Sequence, residues 1–225
     1  MTDATPPAGA TDLGPVLSDL AFAQAHDHAL VEMAEAAEAR GEVVPDRAAA
    51  TFVTWAVRAV GARRVVELGA GAGALTWWLA GAVGDGGEVH ACTDPSSAGR
   101  LEATLRRSGR FGRVTLHLDG SPLAGASPDH LADVPGDLDA VVVGTVTVEL
   151  LGAWSTVVER LRPGGVLLVG GVLAEGAPTG RHAEVVREAL EDPELWTSVV
   201  PLGGGWLAGL KARSDLTGAA TDELW

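Results

Sequence analysis

Short apolar runs alternate with helix-like segments along the middle of the chain. The apolar runs are rich in valine and leucine and lie at Arg64–Leu68, Glu88–Thr93, Val114–Leu118, Leu138–Val143 and Gly165–Val169. The segments between them show helical spacing of apolar residues, at about 72–82, 96–108, 123–133 and 147–162. Continuously apolar strands that alternate with helices indicate a parallel sheet covered on both faces. The pattern therefore predicts one doubly wound α/β domain.

The N-terminal part is predicted to be helical after a short tail. Residues 1–16 are rich in Pro, Gly, Ala and Thr without any period, and we expect a disordered tail there. From Leu17 to Arg40 apolar residues recur at spacings near three and four, which predicts a helix outside the α/β core. A second helix is expected over about Asp46–Val60.

The C-terminal part departs from the alternation. After a predicted helix at about 180–191, two strand-like runs, Thr197–Leu202 and Trp206–Ala212, flank three consecutive glycines. Two short strands around a glycine loop predict a β-hairpin, which places one antiparallel strand on the sheet. Residues 17–213 are thus predicted to form a single domain, and residues 214–225 a C-terminal tail.

Composition excludes several kinds of partner. The 225 residues contain 16 Lys and Arg against 30 Asp and Glu, a formal net charge of -14. Such a chain repels a phosphate backbone, so we expect no nucleic acid partner. The densest basic cluster is interpreted as the solvated face of one helix; it comprises Arg100, Arg106, Arg107, Arg110 and Arg113.

The sequence also argues against a membrane protein. The first residues lack a basic region followed by an apolar core, and no stretch approaches the roughly 20 apolar residues that a membrane span requires. The single cysteine, Cys92, fits a reducing compartment. We therefore expect a cytoplasmic protein.

Three alternating glycines follow the first predicted strand, in the segment VVELGAGAGA at residues 65–74. Glycine lets a backbone approach a ligand where a Cβ would collide. The helix that follows offers unpaired N–H groups at its start. The segment therefore predicts a site for a nucleotide-like or amino-acid-like ligand at the carboxyl end of the first strand.

The glycine spacing alone leaves the ligand open, because Gly69, Gly71 and Ala74 also satisfy the G-x-G-x-x-G/A dinucleotide pattern. Glu67, two residues before Gly69, suits a ligand with a positive charge, such as the amino group of a methionine moiety, better than a pyrophosphate. The predicted hairpin also favours a methyltransferase sheet over an all-parallel dinucleotide sheet.

Asp94 lies at the end of the second predicted strand, 27 residues after Glu67. An acid about 20 residues beyond such a glycine loop commonly receives two ribose hydroxyl groups. Asp94 can also cap the helix that starts near Ser96, helped by Pro95. The two roles are compatible.

Four segments in this order resemble the S-adenosylmethionine (SAM)-dependent O-methyltransferases related to catechol and caffeoyl-CoA methyltransferases: VVELGAGAGALTWWLA, ACTDPSSAGRLEATLRRSG, LDAVVVG and LRPGGVLLVGGVLAEG. The closing segment VVPLGGGWLAGLKAR resembles the actinobacterial small-O-methyltransferase branch. The resemblance covers about residues 20–213. It implies a class I SAM-methyltransferase (Rossmann-like) fold, a seven-stranded sheet with a reversed last strand, SAM as cofactor and a small hydroxylated methyl acceptor.

The resemblance also implies which residues hold the cofactor. Asp94 would receive the ribose hydroxyl groups, and Gly120 and Ser121 would lie against the adenine. The methionine and ribose portion would contact Glu67, Gly69, Ala70, Gly71 and Gly73. Further cofactor positions are Val43, in a loop before the second helix, Leu75, where the branch often has a serine, and Gly144, after the fourth strand.

A divalent metal ion is not expected. Catechol-type enzymes bind one through an Asp after the fourth strand and an Asp-Asn pair after the fifth, and the matching positions here are Gly144, Gly170 and Gly171. Glycine supplies no side-chain oxygen, and Mg2+ needs hard oxygen ligands. Nearby Thr145, Thr147 and Glu149 would rebuild a site only with a shifted backbone. The resemblance thus implies a degenerate metal site.

No general base stands out among the six histidines, so the catalytic residues stay unassigned. His90 and His117 lie in strands, where packing or hydrogen bonding is expected. The other four are His26 and His28 on the N-terminal helix, His130, and His182 after the fifth strand, where it could approach the methyl group. Trp77 and Trp78, after the glycine loop, are interpreted as packing residues.

Three functional hypotheses remain. The first is a SAM-dependent O-methyltransferase, the second a catalytically silent SAM-binding interaction protein, and the third an NAD(P)-dependent oxidoreductase. We also expect a homodimer, because the apolar stripe of the helix at Leu17–Arg40 must cover its own core or another chain.

Overall fold

The computed structural model describes residues 35, 37–39, 44–71, 73–118, 131, 133–144, 148–173 and 180–213. Within these ranges the helices are α1 (Arg47–Ala59), α2 (Ala74–Ala82), α3 (Pro95–Arg107), α4 (Val148–Gly152), α5 (Trp154–Arg160) and α6 (Arg181–Glu191). The strands are β1 (Arg64–Leu68), β2 (Glu88–Thr93), β3 (Val114–Leu118), β4 (Leu138–Val143), β5 (Leu161–Gly170), β6 (Leu195–Val200) and β7 (Trp206–Lys211). The predicted helices at 17–40 and 123–133, and both predicted tails, lie largely or wholly outside the described residues.

The strands form one seven-stranded sheet in the order β3-β2-β1-β4-β5-β7-β6. Strands β1 to β5 pair in parallel, whereas β7 pairs antiparallel with both β5 and β6. The expected reversed last strand is therefore confirmed. Because β7 runs backwards, its first residue, Trp206, lies opposite Gly170, the last residue of β5.

Each face of the sheet carries its own apolar core. On one face, Val65 of β1, Val142 of β4 and Leu168 of β5 pack with residues of α1, α2 and α3. On the other face, Val66 and Leu68 of β1 pack with residues of α5 and α6. Successive side chains of a strand point to opposite faces, so the continuously apolar strands follow from burial on both sides.

The amino ends of three strands are held together by one carboxylate. Asp139 of β4 accepts hydrogen bonds from the backbone N–H groups of Arg63 and Arg64, both at 2.8 Å, and it forms an ion pair with Arg162 of β5. Arg162 also donates to the carbonyl oxygen of Val60, at the end of α1, at 2.7 Å. These contacts fix the register of the three strands at the amino edge of the sheet. The loops that follow the strands lie at the opposite, carboxyl edge.

The segment predicted as one helix over 147–162 is instead two short helices followed by a strand. The chain leaves helical geometry at Ala153 (φ -114°, ψ 8°), and at Leu161 it becomes extended, with φ -70° and ψ 135°. Pro163 disfavours helical geometry at Arg162, and the ion pair to Asp139 needs an extended chain there. Strand β5 is therefore longer than predicted, and β6 starts two residues earlier than predicted, at Leu195.

The basic cluster is not simply a solvated helix face, because Arg110 and Arg113 lie beyond the end of α3, and Arg113, although exposed, is hydrogen-bonded like Arg110 to another element. The Arg110 guanidinium lies 3.7 Å from the centre of the Trp77 ring and donates to the Trp77 carbonyl oxygen at 3.3 Å. Arg113 donates to the carbonyl oxygen of Val83 at 3.1 Å. Both side chains therefore brace α2 and the turn after it.

Candidate functional site

A buried carboxyl group lies at the centre of the carboxyl edge of the sheet. Glu67, the penultimate residue of β1, is 1% exposed and accepts a hydrogen bond from the Thr76 hydroxyl group of α2 at 2.5 Å. Its neighbours across the sheet, Ala91 and Val142, are apolar. Burial raises the pKa of Glu67 to about 7, while the hydrogen bond from Thr76 acts in the opposite direction. A buried carboxyl group that ionises near neutral pH is prepared for a cationic ligand.

The glycine loop after β1 is shaped by left-handed backbone. Gly69, Gly71 and Gly73 have φ values of 77°, 51° and 89°, a region that other residues rarely adopt. The loop is fastened to β2, because Ala70 N–H donates to the Cys92 carbonyl oxygen at 2.9 Å and the Thr93 hydroxyl group donates to the Gly71 carbonyl oxygen at 3.3 Å.

Gly73 has a second, steric reason to be glycine. A Cβ at this position would lie 2.0 Å from Cδ1 of Leu101, a fully buried residue of α3. At Gly71, by contrast, a Cβ would meet no described atom within 4 Å, so the positive φ is what favours glycine there. Among the described residues, the loop thus packs closely on α3 at Gly73 but not at Gly71.

Helix α2 begins immediately after the loop, with Gly73 at its N-cap position and no side-chain cap. The first backbone N–H groups of a helix have no partner within the helix, so those of α2 remain for a ligand. Leu75, predicted to contact the cofactor, is only 4% exposed and belongs to the apolar core. Its contribution to a site is therefore limited to its backbone N–H.

Asp94 follows β2 and is the N-cap of α3. Its Oδ1 accepts hydrogen bonds from the backbone N–H groups of Ser96 at 2.8 Å and Ser97 at 3.0 Å, and from the Ser96 hydroxyl group. Partial burial pushes the pKa of Asp94 up, but the hydrogen bonds from the two serines outweigh it and hold the pKa below its usual value. No described residue donates to Oδ2, so an ionised oxygen faces away from the cap.

Of the three positions matched to the family's metal ligands, Gly170 lies against an indole ring. A Cβ at Gly170 would lie 2.9 Å from the Gly144 carbonyl oxygen and 3.0 Å from Cη2 and Cζ2 of Trp206. Within the described part of the chain, a Cβ at Gly144 would meet only the Gly69 carbonyl oxygen, at 3.7 Å, and one at Gly171 would meet no atom within 4 Å, although its φ is 75°. Among the described residues, no group of three or more His, Cys, Asp and Glu side chains could hold a metal ion.

The structure tests only some of the remaining site predictions. Cofactor positions Val43, Gly120 and Ser121 lie outside the described residues, as do Thr145, Thr147 and histidines 26, 28 and 130, and the Glu149 side chain is not described. His90 and His117 are hydrogen-bonded to each other, with Nδ1 and Nε2 at 3.0 Å, as expected for packed strand residues. Trp77 is 4% exposed and packs as expected.

His182 lines an apolar groove beside the end of β5. The groove has a volume of about 320 Å3 and lies between α6, β6 and the residues after β5, which include Val172 and Leu173. Sequence reasoning missed this groove, and it also missed Thr76 and Trp206. The available signals were the threonine at the third position of α2 and the tryptophan after three glycines, but without the fold neither residue indicates which group it contacts.

The helices of the described segments include none long and apolar enough to cross a membrane.

A doubly wound sheet with a reversed last strand, an acid before a glycine loop and a second acid after the next strand together define the class of nucleoside-binding methyltransferase folds. No family model matches the chain. A Mycobacterium avium (strain 104) protein named as an O-methyltransferase is 31% identical over 182 residues, which span 76% of this chain and 79% of that protein.

Two further comparisons agree with that match. A protein of Methanothermobacter thermautotrophicus named as a cobalt-precorrin-6B C(15)-methyltransferase is 33% identical over 111 residues, 49% of this chain and about half, 53%, of that relative. The crystal structure of the O-methyltransferase TomG from Streptomyces achromogenes in complex with SAM superposes with a TM-score of 0.74 at 20% identity, covering 87% of this chain and 96% of that chain. The chain belongs to the O-methyltransferase family, and the expected family is confirmed.

The loop geometry predicts unequal effects of two alanine substitutions. Gly73→Ala places a Cβ against Leu101 at a φ of 89°, so we expect it to destabilise the fold by about 2–4 kcal/mol. Gly144→Ala has an ordinary φ, and its Cβ would make an ordinary van der Waals contact with the Gly69 carbonyl oxygen as the nearest described atom, so we expect a change below about 1 kcal/mol. Urea unfolding of both variants measures the difference, and equal stability would contradict the packing of the loop on Leu101.

Proposed function

We propose that the protein is a SAM-dependent O-methyltransferase that acts on a small hydroxylated acceptor without a divalent metal ion. The observation that carries the proposal is the pair of acids at the ends of two adjacent strands, Glu67 on β1 and Asp94 after β2, with the glycine loop between them. Their environments differ in a way that suits the two ends of SAM. The Glu67 carboxyl group is buried and has a pKa of about 7, whereas the Asp94 carboxyl group is partly exposed and its pKa lies below the usual value.

The chemistry of the two ends of SAM matches these environments. SAM carries a cationic amino group, and a positive charge near Glu67 favours its ionised form and compensates for burial. The vicinal hydroxyl groups of a ribose are donors, and Oδ2 of the ionised Asp94 is an acceptor. The left-handed backbone at Gly71, with no described atom within 4 Å of a Cβ placed there, supports a ligand position between the two.

When bound, SAM supplies an activated methyl group on a sulfonium centre. The protein's own contribution would be to hold the acceptor oxygen in line with that group and to exclude water, which is the part of the rate that orientation provides. Gly144 and Gly170 supply no side-chain ligand for a cation, and the space beside Gly170 is filled by the Gly144 carbonyl group and by Trp206. These features support a metal-independent reaction.

The same features disfavour an NAD(P)-dependent oxidoreductase. A buried carboxyl group directly before the glycine loop is unfavourable beside a pyrophosphate, and the antiparallel β7 departs from an all-parallel dinucleotide sheet.

Turnover distinguishes an active enzyme from a silent SAM-binding protein, because only the active enzyme forms S-adenosylhomocysteine (SAH) when given SAM and a panel of phenols and catechols.

Asp94→Ala should weaken SAM binding by roughly 10- to 150-fold, because a hydrogen bond to a charged group contributes about 1.5–3 kcal/mol. Isothermal titration calorimetry of the folded variant is the measurement. Glu102→Ala is the control, since Glu102 also carries a carboxylate on α3, in an exposed ion pair with Arg106, but lies outside the proposed site. Unchanged affinity in Asp94→Ala would remove Asp94 from the site.

Binding of SAM should release protons at and below neutral pH. The pKa of Glu67 in the free protein is raised to about 7, so the side chain is largely protonated at pH 6 and about half protonated at pH 7. A cationic group beside it would lower that pKa, so the proton leaves on binding and affinity rises as pH increases from 6 toward 7.

Calorimetry at pH 6.5–7 in two buffers of different ionisation enthalpy counts the released protons. Glu67→Gln should bind SAM more weakly and release no proton at this step. A wild-type protein whose binding heat does not depend on the buffer would contradict the contact between Glu67 and the cationic end of SAM.

Methyl transfer should be insensitive to metal removal. We expect equal initial rates of SAH formation in the presence of EDTA and of added Mg2+, because Gly144, Gly170 and Gly171 offer no carboxylate oxygen. Loss of activity in EDTA with recovery on addition of Mg2+ would show that residues other than these three bind a metal ion.

We further propose a cytoplasmic homodimer in which the helix predicted over Leu17–Arg40 contributes to the interface. Light scattering should give a dimer for the full chain and a monomer for a variant that lacks residues 1–40, while SAM affinity changes little. A full-length monomer at high micromolar concentration would reject the dimer, and a truncated dimer would reject the helix as its interface.

A further inference from the structure

Trp206 carries a buried hydrogen-bond donor that no described residue uses. Its side chain is 1% exposed, and its Nε1 lacks a hydrogen-bond partner among the residues that the structure describes. An indole N–H can only donate, and a buried donor without an acceptor is costly. An oxygen atom placed there by a ligand would therefore be bound favourably.

The indole lies at the carboxyl edge of the sheet, on the same face as Glu67. Strand pairing places Glu67, Val142 of β4, Leu168 of β5 and Ala208 of β7 in one row across the sheet. Trp206 precedes Ala208 by two residues and pairs with Gly170, so it stands one row closer to the carboxyl edge. Three strand spacings separate it from the column of Glu67, a distance of roughly 14 Å.

The backbone between the glycine loop and the indole carries no side chains at its contact points. A Cβ at Gly144 would lie 3.7 Å from the Gly69 carbonyl oxygen, and one at Gly170 would lie 2.9 Å from the Gly144 carbonyl oxygen and 3.0 Å from the indole. Gly69, Gly144, Gly170 and Trp206 are thus close neighbours in succession along the carboxyl edge of the sheet. A small molecule that extends from the glycine loop along this edge would approach the indole.

The six-membered ring of the indole is the part that lies against Gly170. A Cβ at Gly170 would meet Cη2 and Cζ2, and Cζ2 is bonded to Cε2, the ring carbon that carries Nε1. The N–H therefore lies on the same long edge of the indole as Cζ2, two bonds from an atom that contacts this position.

We propose that the Trp206 Nε1–H binds an oxygen atom of the methyl acceptor and thereby selects acceptors that present an oxygen at this end of the site. The proposal rests on the proposed methyltransferase function. It assigns the position beside Gly170 to a neutral N–H donor, which orients an oxygen but does not remove its proton.

The test follows the indole N–H directly by NMR in the full-length protein. The protein is labelled with 15N at the indole nitrogens of its seven tryptophans, saturated with SAH and titrated with catechol, 4-nitrophenol and benzoate. The Trp206 signal is identified by its loss in Trp206→Phe. We expect at least one probe to shift this signal downfield while the other indole signals move little.

Affinity supplies the second readout. Trp206→Phe keeps an aromatic ring but no donor, so the probe that shifts the signal should bind at least about tenfold more weakly, with SAH affinity unchanged. Trp77→Phe is the matched control, because Trp77 is also buried with an Nε1 that lacks a described partner. Trp77 lies on α2, however, where its ring packs against Arg110 and not against Gly170. It should leave probe affinity unchanged.

The outcomes distinguish a failure of the proposed role of Trp206 from a failure of the proposed methyltransferase function. A wild-type protein that does not bind SAH contradicts the proposed function. SAH binding together with an unmoved Trp206 signal for all three probes, or with equal probe affinity in Trp206→Phe, contradicts only the role of Trp206. If Trp206→Phe does not fold, Phe substitutions at the other tryptophans identify the signal by elimination, and its shift alone decides.

Discussion

The burial of the Glu67 carboxyl group is the constraint around which the carboxyl edge of the sheet is arranged. Strand β1 has neighbours on both sides, and Ala91 and Val142 bring no polar group to the carboxyl group. Its described partner is the Thr76 hydroxyl group, which is available only because α2 begins directly after the glycine loop. A longer connection would carry Thr76 away and leave a buried acid without a donor, which is costly. The tight left-handed loop and the buried acid therefore require each other.

The reversed strand has a comparable effect at the other end of the site. In a parallel strand the carboxyl edge receives the last residues, but β7 runs backwards and presents its first residue, Trp206, at that edge. The preceding glycines attach the hairpin to its surroundings: Val172 N–H and Leu173 N–H donate to the Gly205 and Gly204 carbonyl oxygens at 3.2 and 2.7 Å. The indole is thereby held beside Gly170, where it occupies space that a larger residue at that position would need.

The sequence was sufficient for the features that depend on local chemistry. Continuous apolar strands, the glycine loop and the cap at Asp94 each follow from short segments, and the first four strands begin and end as predicted. The break at Ala153 and the early start of β5 could not be read in this way, because the ion pair between Asp139 and Arg162 joins residues 23 apart. The same holds for Arg110 on Trp77, at a separation of 33 residues, and for the indole beside Gly170. Such contacts form between residues that are far apart in the sequence, so the spacing of apolar residues does not predict them.

The side chains at the carboxyl edge of the sheet beside Gly170 bear on which methyl acceptors could react in the proposed site. The side chains at Gly144, Gly170 and Trp206 cannot take a proton or supply an oxygen ligand to a cation, so this part of the edge can orient an acceptor but cannot deprotonate it. A hydroxyl group of ordinary acidity gains little nucleophilicity from such surroundings, whereas a phenol or enol of low pKa is already partly ionised and needs only to be aligned. An N–H donor also lowers the pKa of the oxygen that it binds, since it stabilises the anion more than the neutral form. In the proposed methyltransferase reaction, the residues of this edge would therefore favour acidic hydroxyl groups over aliphatic alcohols as acceptors.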